Sequence, residues 1–221
     1  MCVAKRFANP DFLGRKKESF MKCNYITIER EYGSGGTRIA RRLAEECGIP
    51  CYGVEILEAV SRKNNVSVDQ IQHLEESVSG SFLYTLFVMS KVQSGDSDML
   101  SGEGKVFVEE QRAIENFAGQ GPAIFLGHCA AQALKKRRGV VKVFIRANNE
   151  EKKKRIMADY QIPEGEVEST RKRFDNKRSK YFYANTTRHW NDVKNYDIVL
   201  DSSQLGIEGC VHVLKGLFEG K

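Results

Sequence analysis

Segments with the periodicity of strands and of helices alternate along the chain after residue 23, and this pattern predicts parallel βαβ construction. The first strand is predicted at residues 25–28. Apolar side chains at intervals of three and four then predict a helix over about residues 36–47, which Gly48 and Pro50 end. A length of 221 residues suffices for one sizeable core, so we expect a single compact α/β unit.

The remaining segments continue this alternation. Further strands are predicted at residues 50–52, 122–126, 140–145 and 197–200, and further helices at residues 54–64, 106–118, 148–160, 163–183 and 204–218. Ser67 with Gln70, and Asn148 with Glu151, have the spacing of N-terminal capping boxes. Periodicity fades over residues 78–104, where we expect a short helix followed by a flexible loop.

Composition narrows the class of protein. A formal net charge of +6 suits a polyanionic ligand but is modest for a nucleic-acid binder. The six cysteines include no C-x-x-C pair, so we expect reduced thiols rather than a zinc site or disulfides. Without a long apolar run or a signal segment, we expect a cytoplasmic protein with no membrane span. Residues 1–22, basic and aperiodic, are expected to form a poorly ordered extension.

The glycine-rich turn after the first strand is the main functional motif. Against the Walker A pattern G-x-x-x-x-G-K-[ST], the window that begins at Arg30 keeps Gly35 and Thr37 but has Arg30 for the first glycine and Gly36 for the lysine. Successive glycines let backbone N–H groups point together at an anion, and the helix that follows adds its positive N-terminal end. The turn therefore predicts a phosphate-binding loop, although a purely structural turn is the alternative.

A basic helix is the second candidate. Arg171, Asp175 and Arg178 recur at steps of four and three, so they share one helical face on which the carboxylate can orient both guanidinium groups. Guanidinium groups beside a phosphate loop clamp a transferring phosphoryl group in many kinases. The alternative is a solvated basic face.

Other candidates lie near predicted strand ends or within helices. His128 follows the predicted strand at 122–126, at the edge where open parallel sheets bind ligands, but it also suits a satisfied polar position. Arg62 and Arg155 are phosphate contacts or ordinary surface arginines. Asp201 is expected to cap the last helix.

Taken in order, these elements resemble the cytidylate-kinase-like family over residues 23–219. The resemblance rests on Ile26-Thr27-Ile28, Gly33-Ser34-Gly35-Gly36, residues 41–46, Gly127-His128-Cys129-Ala130, Arg173 with Asp175, Arg178 and Tyr181, and residues 196–209. It implies a P-loop nucleoside-monophosphate-kinase fold, in which a five-stranded parallel sheet of order 2-3-1-4-5 is flanked by helices. Residues 23–221 would form this domain, with an NMP-binding insertion within 52–120 and a lid at 160–192.

The resemblance also implies an activity and its residues. The activity is phosphoryl transfer from ATP to CMP or dCMP with Mg²⁺. ATP would contact Gly33, Ser34, Gly35, Gly36, Thr37, Arg38 and Arg155, and Thr37 would bind the metal. Arg62 and His128 would lie on the monophosphate side, and the catalytic lid residues would be Arg173, Asp175 and Arg178.

Two departures from the family pattern bear on the activity. Gly36 replaces the lysine of authentic cytidylate kinases, and either Arg30 or Arg38 is available to replace its charge. His128 stands where this branch usually has an arginine, which is always charged. A non-catalytic nucleotide-binding protein, a kinase of another small-molecule acceptor and a nucleic-acid-associated protein remain alternatives.

Overall fold

The computed structural model describes residues 23–64, 67–71 and 102–219. The expected extension at residues 1–22, and most of the segment expected to be a short helix and a loop, lie outside the described residues. So does the middle of the proposed NMP-binding insertion.

Five parallel strands form one sheet in the order β2-β3-β1-β4-β5, as the resemblance implied. The strands are β1 Tyr25–Arg30, β2 Cys51–Tyr52, β3 Ala123–Leu126, β4 Val140–Arg146 and β5 Ile198–Asp201. In the centre, Ile26 lies opposite Ile124 on one side and Val141 on the other. Since parallel strands are covered on both faces, β1 reads as a nearly continuous buried run.

Among the described residues, seven α-helices have both bounds assigned, and they connect and cover these strands. They are α1 Gly36–Cys47, α2 Val54–Asn64, α3 Gly102–Ala118, α4 Ala130–Ala133, α5 Asn149–Tyr160, α6 Glu164–Thr186 and α7 Ser202–Glu219. On one face of the sheet, Leu43 of α1 and Leu214 of α7 belong to the same apolar cluster as Ile26. On the other face, Ile56 of α2 and Ile114 of α3 pack with Phe125. None of the helices described here is both long and apolar enough to traverse a lipid bilayer.

Most predicted boundaries are confirmed within a few residues. Both capping boxes form, with the Ser67 hydroxyl accepting from the Gln70 N–H at 3.2 Å and the Asn148 side chain accepting from the Glu151 N–H at 2.8 Å. Asp201 accepts from the Ser203 N–H at 3.0 Å in the first turn of α7, as expected.

Helices α3 and α6 both extend beyond their predicted bounds, and for α3 the cause is packing that overrides local sequence. Helix α3 begins at Gly102, four residues before the predicted start, through a segment with two glycines. Val106, in its second turn, is buried against Leu57 and Val60 of α2, and this apolar contact stabilises the helical backbone there. Helix α6 continues to Thr186, where Thr187 adopts a left-handed φ of 59° and closes the helix.

Candidate active site

The glycine-rich loop, residues 31–35, joins the end of β1 to the start of α1 at the carboxyl edge of the sheet. Gly33 and Gly35 have φ values of 78° and 77°, a region that favours glycine. A Cβ on Gly35 would lie 2.5 Å from Cδ1 of Ile207, so the end of that side chain would have to move aside for any larger residue. The Ser34 side chain is buried, and its hydroxyl donates to the carbonyl of Glu31 at 2.8 Å. This compact loop precedes the N-terminus of α1, which is the geometry of an anion-binding nest.

Arg155 of α5 supports this loop from behind. Its Nη1 donates to the Ser34 carbonyl at 2.9 Å and to the Ser202 hydroxyl at 2.8 Å, and its Nη2 donates to the Ser202 carbonyl at 3.2 Å. The Ser202 hydroxyl itself donates to the Ser34 carbonyl at 2.6 Å. The structure thus places this guanidinium on the carbonyl side of the loop, where it ties the loop to the start of α7.

The side chain of Arg30 crosses the first residue of α1. A Cβ on Gly36 would lie 2.6 Å from Cβ of Arg30 and 2.9 Å from its Cγ. At the far end, a Cβ on Gly127, which follows β3, would overlap Nη1 of Arg30. Two glycines therefore make room for this side chain. Burial, and then the neighbouring charge of Arg178, lower the pKa of Arg30 to about 10, so the group stays protonated at neutral pH.

Helix α6 lies over the loop and is fastened to it. The Tyr32 N–H donates to Oδ1 of Asp175 at 2.7 Å, and Nη1 of Arg178 donates to the Arg30 carbonyl at 3.0 Å. The ring of Phe174 stacks on that of Tyr32, with centroids 4.5 Å apart. These contacts place the predicted lid helix directly on the phosphate loop.

The predicted shared face of α6 forms. Asp175 lies between two arginines, at 3.6 Å from Arg171 and 3.9 Å from Arg178. Burial raises the pKa of Asp175, against the lowering effect of its hydrogen bond from the Tyr32 amide. Burial lowers the pKa of Arg178, because in both groups it disfavours the charged form.

A cavity of about 410 Å³ lies beside the loop, bounded by β1, the end of β3, α2 and α6. Among the described residues, four with cationic side chains line it, Arg30, Arg41, Lys177 and Arg178, together with the acidic Glu29. A small groove of about 20 Å³ lies over the loop itself, along Gly33, Gly35 and Arg38. Arg30, Thr37 and Arg178 line both spaces, so the groove and the cavity adjoin each other across these three residues.

A hydrogen-bonded group of side chains also lines this cavity. His128 has a left-handed φ of 55°, and its Nδ1 lies 3.2 Å from Oε1 of Glu110. The other carboxylate oxygen of the buried Glu110 accepts a hydrogen bond from the Tyr181 hydroxyl. His128 and Tyr181 both line the cavity. The predicted strand-end residue thus lies at the site and is oriented by a carboxylate.

Three of the predicted site residues lie further out. The Arg62 side chain is 72% exposed, with its guanidinium 3.9 Å from Glu58. Arg173 is exposed, and its guanidinium stands over the ring of Phe174. Arg38 borders the small groove but is 61% exposed and 3.6 Å from Asp159. Neither Arg62 nor Arg173 is among the residues that line the cavity or the groove.

Sequence reasoning missed Arg41, Glu110 and Lys177. Arg41 lies one helical turn after Thr37, so the i+4 spacing was the available signal. Glu110 stands among the apolar positions of α3, where a buried carboxylate is unusual without partners. Lys177 lies between Phe174 and Tyr181 on α6, at steps of three and four.

Comparison with known proteins agrees with this architecture. A sequence profile of the cytidylate kinase-like family matches residues 25–204. No curated protein sequence gives a significant match.

Alignments with solved structures extend over nearly the whole chain. An uncharacterized protein from Eubacterium ventriosum aligns with 89% of this chain and 99% of its own at 20% identity, with a TM-score of 0.66. The alignment with TT1252 from Thermus thermophilus covers 90% of this chain and 97% of that protein, at 20% identity and with a TM-score of 0.52. The alignment with a shikimate kinase from Bacteroides thetaiotaomicron covers 88% of this chain and 98% of that protein, at 10% identity and with a TM-score of 0.48. The profile match supports phosphoryl transfer as the general class of reaction.

Proposed function

We propose that this chain, which belongs to the cytidylate kinase-like family, transfers the γ-phosphoryl group of ATP to a nucleoside monophosphate, with CMP and dCMP as the first candidates. The observation that carries the proposal is that two adjoining spaces share three lining residues. Arg30, Thr37 and Arg178 line both the groove over the phosphate loop and the adjoining cavity. Phosphoryl transfer needs donor and acceptor oxygens in line across one point, and these residues surround such a point.

Positioning and charge neutralisation would carry the rate, because phosphoryl transfer leaves little covalent work to the protein. The donor phosphates would rest on the loop amides and on the N-terminus of α1. Arg178, held by Asp175 and by the Arg30 carbonyl, would face the transferring group. Helix α6 would cover the site and exclude water, which otherwise competes as acceptor.

The acceptor would occupy the 410 Å³ cavity, whose size lies within the roughly 300–1,000 Å³ common for small-molecule sites. Arg41 and Lys177 supply positive charge away from the loop for the acceptor's own phosphate. His128, which lines the same cavity and is oriented by Glu110, would contact the acceptor.

The described residues fit a magnesium ion that is held mainly by nucleotide phosphates. They contain no group of three His, Cys, Asp or Glu side chains able to hold a metal. Mg²⁺ in kinases usually keeps several waters and takes only one or two protein ligands besides the phosphates. Thr37 would be one such ligand, and the Glu29 carboxylate lines the same cavity. The ion would neutralise charge on the donor phosphates.

A kinase of a small alcohol is the second candidate, and the Glu110–His128 pair favours it. A hydroxyl acceptor needs a group that takes its proton, whereas a monophosphate acceptor is already ionised. The imidazole on the cavity wall, paired with a buried carboxylate, has the composition of such a base.

An acceptor panel tests both candidates. Purified protein with Mg-ATP would be incubated with each common nucleoside monophosphate, with shikimate and with simple sugars, and ADP formation would be followed by a coupled assay. Arg178→Gln should lower kcat/KM with the active acceptor by at least about 100-fold, the usual effect of losing one transition-state donor. Lys172→Gln, at an exposed position of the same helix, is the control and should retain activity.

The proposal fails if no acceptor raises ADP formation above background. Stabilisation of the protein by ATP without any turnover would instead support a non-catalytic nucleotide-binding protein. An Arg178→Gln variant with unchanged kinetics would remove that side chain from the mechanism.

A further inference from the structure

The glycine at the lysine position of the phosphate loop has a specific steric cause. Gly36 is the first residue of α1, and its φ lies outside the left-handed region, so its backbone does not demand glycine. A side chain is excluded there because its Cβ would lie 2.6 Å from Cβ of Arg30. That Cβ is attached directly to the backbone of β1 and cannot move aside like the end of a flexible chain. The place where the lysine side chain would begin is filled by Arg30.

The far end of the Arg30 side chain lies where phosphates would meet. It reaches Gly127 at the end of β3, and Arg30 lines both the loop groove and the cavity. Its Nε is buried and has no hydrogen-bond partner among the residues that the structure describes. A buried N–H of a charged group without an acceptor is unfavourable, and an anionic ligand would relieve it.

We propose that Arg30 takes over the task of the missing phosphate-loop lysine and contacts the bridging and terminal phosphates of the bound nucleotide. This inference rests on the proposed function for the identity of the nucleotide. A guanidinium can bind two phosphate oxygens in parallel, which an ammonium cannot, so the exchange alters geometry and keeps charge. Arg38, the other cation available by sequence, is mostly exposed and lies near Asp159.

Relative to the Walker A pattern, the residues at positions 30 and 36 therefore differ as a pair. A side chain at position 30 excludes one at position 36, and the arginine at 30 supplies the charge that glycine at 36 lacks. Changing Gly36 to lysine alone would force its Cβ into Arg30, whereas changing both Arg30→Gly and Gly36→Lys removes the collision and restores both Walker A residues. The next atom near position 36 is Cβ of Ile145 at 3.5 Å, an ordinary contact.

The test measures phosphate binding separately from turnover. Affinity for inorganic tripolyphosphate with Mg²⁺, measured by isothermal titration calorimetry, needs no acceptor and so does not depend on the proposed reaction. We expect Arg30→Gln to weaken tripolyphosphate binding by at least about tenfold, and to lower kcat/KM with any active acceptor by at least about 100-fold. Arg42→Gln removes an exposed arginine of α1 that pairs with Glu45 and Glu46, and it should leave both values unchanged.

Arg30→Gly with Gly36→Lys is the second arm, and it gains a function instead of losing one. The double variant should bind tripolyphosphate at least about tenfold more tightly than Arg30→Gly alone. Wild-type affinity in a folded Arg30→Gln protein would overturn the inference, as would a double variant no better than Arg30→Gly. Failure of every acceptor in the panel would remove the proposed kinase activity while these binding results still decide the role of Arg30.

Discussion

Replacing Gly36 by alanine should destabilise the protein, although alanine is the better helix former. The new Cβ would lie 2.6 Å from Cβ and 2.9 Å from Cγ of Arg30, against about 3.5–4.0 Å for favourable carbon contacts. Such overpacking costs about 1–3 kcal/mol, while the helical gain over glycine is at most about 1 kcal/mol. Subtracting the helical gain leaves a net loss of roughly 0–2 kcal/mol in the free energy of unfolding. Because the colliding Cβ of Arg30 is attached to the backbone and cannot move aside, we expect the upper half of that range, roughly 1–2 kcal/mol.

Thermal denaturation followed by circular dichroism measures this loss. For a chain of this length each kcal/mol moves the melting temperature by about 2–4 °C, so Gly36→Ala should melt roughly 2–8 °C below the wild type. Gly216→Ala is the matched control, because Gly216 lies in α7 with a φ outside the left-handed region, and a Cβ added there would have nothing within 4 Å. That substitution should raise the melting temperature slightly.

A double-mutant cycle identifies the atoms responsible. In an Arg30→Gly background both colliding carbons are absent, so adding Gly36→Ala should cause no further loss. A Gly36→Ala protein as stable as the wild type would refute the reasoning. An equal loss in both backgrounds would show that Arg30 is not the cause, and the pairwise exchange inferred above would lose its steric basis.

Three further substitutions and titrations test other parts of the site. Asp175→Ala leaves the Tyr32 N–H without its acceptor and should lower the urea midpoint by an amount equivalent to about 1–3 kcal/mol; an unchanged midpoint would contradict this. Arg155→Met removes the hydrogen bond to the Ser34 carbonyl and should weaken Mg-ATP binding about tenfold, as measured by calorimetry. Unchanged affinity would show that this side chain does not support nucleotide binding by the loop. Burial raises the pKa of Cys51 from 9.0 to about 11, so alkylation of this thiol should be slow at pH 8. Because the thiol ionises at lower pH in the unfolded chain than in the folded protein, the free energy of unfolding should fall as the pH rises from 9 to 11. Rapid alkylation at pH 8, followed by mass spectrometry, would contradict that prediction.

The elements of the fold were predictable because their signals are local. The spacing of apolar residues in α1 and the glycines beside it indicated both the helix and the loop, since these patterns act within a few residues. The strand order came from the resemblance alone, because pairings such as Tyr25 with Val140 leave no trace in either segment. The start of α3 was wrong by four residues, because its glycines oppose the helix while the packing of Val106 on α2 stabilises it.

The details of the site depend on contacts between distant positions. Arg155 meets Ser34 across 121 positions, so the sequence could show an arginine on a helix but not which side of the loop it would reach. The meaning of the glycine at 36 is likewise hidden, since it follows from the course of the Arg30 side chain towards Gly127. In contrast, the shared face of Arg171, Asp175 and Arg178 was predictable because helical geometry alone sets it.

The central position of β1 has a consequence for how the chain reaches its native state. Its partners β3 and β4 begin at residues 123 and 140, so on both of its edges β1 pairs with a strand that follows about 100 residues later in the chain. At a synthesis rate of about 5–20 residues per second, roughly 6–23 s pass between the emergence of β1 and that of β4. Until β3 emerges, the apolar core strand has no neighbour and exposes both edges to other chains, and one edge stays open until β4 follows. We therefore expect slow folding dominated by non-local pairing, and sensitivity of the yield to the availability of chaperones during translation.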